Sequence, residues 1–94
     1  MTAAEVLSAA LKLPLADGAR EGGYVTRGGG LVVALKEAAG DDVEAYNRAY
    51  EAVVRVTGAR DGDGQEPALR CWAKNETPAT RKEALKRALA EVSR

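Results

Sequence analysis

Residues 41–58 carry the clearest periodicity in the chain. At helical pitch Val43, Tyr46, Tyr50, Val53, Val54 and Thr57 fall on one broad face, while Glu44, Arg48, Glu51 and Arg55 gather on a narrow stripe elsewhere. Ala45, Ala49, Ala52 and Val56 fill most of the remaining circumference, so only the charged stripe is committed to water. The pattern predicts a helix that touches more than one neighbour and acts as the central strut of a small helical domain. Asp41 reads as its N-cap, with Glu44 three residues on completing a capping box, and Gly58 closes it.

The flanking segments read as shorter helices. Thr2 and Glu5 form a capping box ahead of Val6, Leu7, Ala10 and Leu11, and Pro14 bars helical angles at the residue before it, which predicts a helix over about residues 3–12. Residues 14–30 are rich in Gly and short polar side chains and read as a mobile loop; only Tyr24, Val25 and Thr26 have strand character, a short extended segment or hairpin near 24–27 at most. Residues 31–39 are apolar almost all round, and Gly40 is placed to end them in the left-handed conformation, so this helix and the central one should form a tight hairpin. Residues 58–66 make a second polar, Gly-rich loop. Pro67 then opens a short helix over 68–74 carrying Leu69, Cys71 and Trp72. A last capping box at Thr80 and Glu83 starts a helix whose face is Leu85, Ala88, Leu89 and Val92.

The fold expected is therefore all-α, a single domain over residues 1–94 built as a bundle of four or five helices. Composition supports it: 46% of the residues are hydrophobic but only 4% are aromatic, with no Phe, so the core must be Ala, Leu and Val. The abundance of Ala, Gly and Arg beside an absence of Ile and Phe points to a GC-rich bacterial or bacteriophage genome. Formal charge is zero, 14 basic against 14 acidic residues, which argues against a protein devoted to neutralising phosphates. Cys71 alone permits no internal disulfide, and the absence of His disfavours a zinc site. The first residues have no basic leader and are too polar to span a bilayer, so a cytoplasmic protein without a membrane role is the expectation.

Few residues invite a chemical reading. Trp72, the single tryptophan, reads first as a core anchor and second as a partner contact, together with Tyr24 and Arg27 of the Gly-rich segment. Arg27 through Gly30 has glycines ahead of a helix start, as phosphate cradles do, but lacks the Walker pair and the dinucleotide fingerprint, and reads as a turn. Asp61, Gly62, Asp63 and Gly64 fail the calcium-loop pattern at its sixth and twelfth positions. Cys71 has no base or resolving thiol and reads as structural. Arg81, Lys82, Lys86 and Arg87 cluster on a helix that follows a short helix and turn, resembling the second helix of a helix-turn-helix. Against that, Glu83 with Arg87 and Arg87 with Glu91 are spaced to pair on a solvated face. No cofactor is implied, and carboxylates sit opposite Lys or Arg or in loops, so no catalytic pair stands out.

The order of features, with Trp72, Asn75, Glu76 and Thr80 as its pointed matches, resembles a family of small uncharacterised actinobacterial and actinophage proteins. That resemblance implies a helical domain and no particular chemistry; Asn75 and Glu76 would shape the turn into the last helix. The expectation is a non-enzymatic accessory protein that acts through a protein partner or self-association, with nucleic-acid binding through the last helix as the alternative.

Overall fold

A computed structural model describes residues 1–17 and 29–94. Among the described residues five α-helices follow in order: α1 (Ala3–Ala10), α2 (Gly29–Ala39), α3 (Val43–Thr57), α4 (Ala68–Ala73) and α5 (Pro78–Val92), with a 3-10 turn at Asp63–Gln65 ahead of α4. The described residues contain no strand, and the architecture is the all-α bundle that the periodicity predicts. The extended segment anticipated near residue 24 lies outside the described residues.

α3 packs against α1, α2, α4 and α5 and is the central strut. Its orientation departs from the sequence expectation. The stripe turned fully inward is Ala45, Ala49, Ala52 and Val53, whereas Val43 is 67% exposed and Tyr46, Tyr50 and Val54 are only half-buried. The reason is spatial: a helix enclosed by others must be slender on the enclosed side, so that their side chains can reach across it. The surrounding elements supply that volume as Leu7, Leu15, Leu31, Leu35, Leu69 and Leu85, all fully buried. Burying one leucine contributes on the order of 2 kcal/mol, and the set accounts for most of the large apolar groups removed from water.

Several helix ends shift by a residue or more, each for a chemical reason. α1 does carry the Thr2–Glu5 capping box: Glu5 N–H donates to Thr2 Oγ1 at 3.2 Å, and Thr2 N–H donates to Glu5 Oε1 at 2.9 Å. It ends at Ala10 and tightens through Leu13, whose N–H reaches back only to the Ala10 carbonyl before Pro14. The N-cap of α3 is Asp42 and not Asp41; its carboxylate accepts Ala45 N–H at 3.0 Å and also the Met1 amine at 2.7 Å, while Glu44 points to solvent. α5 starts at Pro78, one residue past Thr77, whose hydroxyl accepts Thr80 N–H at 3.2 Å; Thr80 and Glu83 do not form the cap. Gly40 and Gly58 adopt φ of 60° and 70°, ending α2 and α3 in the left-handed conformation.

Candidate functional site

The largest surprise lies at Arg81. In α5 the buried positions are Arg81, Ala84, Leu85 and Ala88, spaced i, i+3, i+4, i+7, so Arg81 belongs to the core face and is 3% exposed. Its guanidinium forks onto Asp17, Nη1 donating to Oδ1 at 2.9 Å and Nη2 to Oδ2 at 3.1 Å. Nη1 also donates to the Leu15 carbonyl and Nη2 to the Ala73 carbonyl at 2.6 Å. Four donors are thereby used on three residues in two segments of chain, and only Nε, buried, has no hydrogen-bond partner.

Asp17 extends the network by accepting Gly30 N–H at 3.0 Å in the first turn of α2. The Gly-rich helix start that resembles an anion cradle is thus occupied by a carboxylate of this chain. Arg81 therefore ties the segment after α1 to the end of α4, and through Asp17 to the start of α2. It is a structural clamp, and the nucleic-acid reading loses it as a surface contact.

The rest of the basic cluster is divided. Arg87 donates from Nη2 to the Val56 carbonyl at 2.6 Å, satisfying one of the orphan acceptors in the last turn of α3. Glu91 pairs with Arg55 of α3 at 2.8 Å, so the pairings within α5 anticipated for Arg87 are replaced by contacts between helices. Lys82 and Lys86 remain exposed. A continuous basic face of Arg81, Lys82, Lys86 and Arg87 does not form.

Trp72 is half-buried against the core and not enclosed by it. The leucines around α3 already supply the central volume that the sequence reading had assigned to the indole. Cys71 is a half-buried free thiol with the Gly62 backbone packed closely on its sulfur. Tyr24 and Arg27 lie outside the described residues. Among the described residues, no group of three Cys, Asp or Glu side chains is placed to hold a metal ion, and no helix is long and apolar enough to cross a membrane.

What the sequence reading missed is the outward face of α3. Tyr46 and Tyr50 tilt against one another with ring centroids 5.9 Å apart, and burial, with Tyr50 beside it, raises the Tyr46 phenol above its ordinary pKa. The Tyr50 hydroxyl accepts Leu69 N–H at 3.0 Å, serving the N-terminus of α4 where Pro67 offers no side-chain cap. Two recesses open along this face. One of about 560 Å³ is bordered by Asn47, Tyr50, Glu51, Val54, Ala59 and Ala68; the other, of about 340 Å³, by Lys36, Gly40, Val43, Tyr46 and Asn47. Asn47 borders both, so they form a continuous surface along α3, rimmed by Glu44, Arg48, Glu51 and Arg55. The signal was present in the sequence as the broad face of large residues; what misled was the assumption that the larger side chains face inward.

Compared with protein-family models, with curated proteins and with solved structures, the chain has no match in any of the three. Its functional reading accordingly stands on its own geometry.

Proposed function

We propose that this chain is a small non-enzymatic accessory protein, of bacterial or phage origin, that acts by protein contact through the outward face of α3. The observation that carries the reading is the inversion of that helix: alanines line its enclosed side, while Val43, Tyr46, Tyr50 and Val54 are left exposed or half-exposed. Half-buried tyrosines beside aliphatic groups, with charges at the rim, have the composition of a protein interface. An aliphatic interior supports the non-enzymatic part, since Arg81, the buried charge of the described residues, is committed to holding chain segments together.

A photoreactive residue placed at Asn47 tests this in cells of origin. It should form a covalent adduct with protein, and the same group at exposed Lys82 on α5 should not. An adduct at Lys82 with none at Asn47, or nucleic acid recovered at Lys82, would sink the reading in favour of the α5 alternative.

A further inference from the structure

The rim of the α3 face has an order that selects its partner. Glu44, Arg48, Glu51 and Arg55 run along the helix at spacings of four, three and four residues, a nearly straight exposed stripe with signs minus, plus, minus, plus. Read backwards, the signs become plus, minus, plus, minus. We propose that α3 pairs antiparallel with α3 of a second copy of this chain, about a two-fold axis near the middle of the helix; this rests on the contact reading above and names its partner.

Turned end for end, the second copy brings its Arg55 opposite Glu44 and its Glu51 opposite Arg48. A parallel pairing in register sets like charges against each other. The apolar groups obey the same operation. Val43 projects from one end of the face, 67% exposed, and the recess at Tyr50 and Val54 lies near the other end, roughly 16 Å away at helical rise. One two-fold rotation places the Val43 of each copy over the recess of the other, so both knobs and both recesses are used at once and the contact closes on itself.

Three further features favour this occupant. The Glu44–Arg48 pair within one chain is loose, 4.0 Å between side chains 86% and 68% exposed, so it holds neither residue back from a new partner. Arg55 is already paired with Glu91, which leaves Arg48 and Glu51 as the inner contacts that decide the pairing. A formal net charge of zero gives no long-range repulsion between copies. A 15-residue helix makes a small interface, so the dimer should be concentration-dependent and not permanent.

Sedimentation of the full chain over a range of concentrations provides the test. Wild type should rise from 9.9 kDa towards twice that mass. Glu51→Arg and Arg48→Glu alone should each weaken association by about tenfold or more, because each sets like charges together twice across the axis. Mixed in equal amounts they should associate again, since the reversed side chain at 51 of one copy then meets the reversed side chain at 48 of the other. Val43→Asp, at an exposed site, should leave the helical circular dichroism unchanged and abolish the dimer. A wild-type chain that stays monomeric, variants that dimerise as wild type does, or a mixture that shows no recovery overturns self-pairing. Monomeric wild type together with an Asn47 adduct to a different protein overturns self-pairing and leaves the contact reading standing; no adduct at Asn47 overturns both.

Discussion

The Arg81 guanidinium and the Asp17 carboxylate, 64 residues apart in the chain, form a two-pronged ion pair that is almost wholly out of water. Desolvating both charges costs several kcal/mol, which the fork, two carbonyl acceptors and the Gly30 amide offset. Removing one partner should therefore do more harm than removing both. Arg81→Met is expected to cost about 3 to 5 kcal/mol in urea unfolding, because it breaks a largely buried ion pair and takes the donor from the Leu15 and Ala73 carbonyls. Arg81→Met with Asp17→Asn should recover part of that loss. A double variant no more stable than the single one would show that the carboxylate does not depend on Arg81.

Tyr50 has a second duty beyond the surface it lines. Its hydroxyl replaces an N-cap for α4, so Tyr50→Phe, which keeps the ring, should cost about 1 kcal/mol. For a domain of this size that corresponds to a melting temperature lower by roughly 4 to 8 °C. Amide exchange should quicken at Leu69 in particular. An unchanged Leu69 rate would mean that water caps the helix equally well.

Close approach makes Gly30 irreplaceable even by a better helix former. A Cβ there would stand 2.7 Å from the Ala16 carbonyl oxygen and 2.9 Å from that of Leu15, both backbone atoms that cannot swing aside. Alanine gains about 1 kcal/mol in helix propensity over glycine, but the overlap should cost about 1 to 3 kcal/mol and lengthen the Gly30 N–H bond to Asp17. Gly30→Ala is thus expected to lower stability, measured by denaturant midpoint at constant slope.

Two helix-capping carboxylates contribute to the acid limb of stability. The Met1 amine and then the Ala45 amide hold the Asp42 carboxyl below its ordinary value of 3.8, and hydrogen bonds from Thr2 hold Glu5 below 4.5. A carboxylate depressed by folding contributes above its unfolded pKa and loses that contribution as pH falls through the lower folded value. The Met1 amine is raised above 8.0 by Asp42, so its contribution is complete below 8.0 and disappears as pH rises through the folded value. Asp42→Asn should flatten part of the acid limb and reduce the alkaline change that belongs to the Met1 amine, in thermal melts taken across pH. Met1 and Glu5 are exposed and Asp42 is only half-buried, so both effects should shrink with added salt.

Much of this architecture is legible in the residues. The Thr2 capping box, the left-handed glycines at 40 and 58 and the strut at residues 43–57 follow from local chemistry, and local chemistry is what a single sequence displays. Apart from the caps of α3 and α5, which fall at Asp42 and Thr77 and not at Asp41 and Thr80, the misreadings are non-local. Arg81 shares a helical face with Ala84, Leu85 and Ala88, which periodicity does reveal, but its partner Asp17 comes from a distant segment, so in sequence Arg81 reads as one of a basic cluster open to nucleic acid. Likewise, α3 was expected to bury its tyrosines because size ordinarily goes inward; how many helices surround it decides otherwise. The interface rim was visible as a charged stripe, yet its meaning depended on which side of α3 the bundle leaves open.

The alanine seam of α3 constrains how this protein can change over generations. Ala45, Ala49 and Ala52 are buried and have almost nothing left to trim, so loss of volume is a minor hazard there, while any added methylene has to be fitted into an already packed interior. Enlargement at these sites is opposed where reduction is not, so the close spacing between helices depends on their staying small. The opposite side of the same helix, Tyr50 with its duty to α4 apart, has more room for larger or smaller side chains.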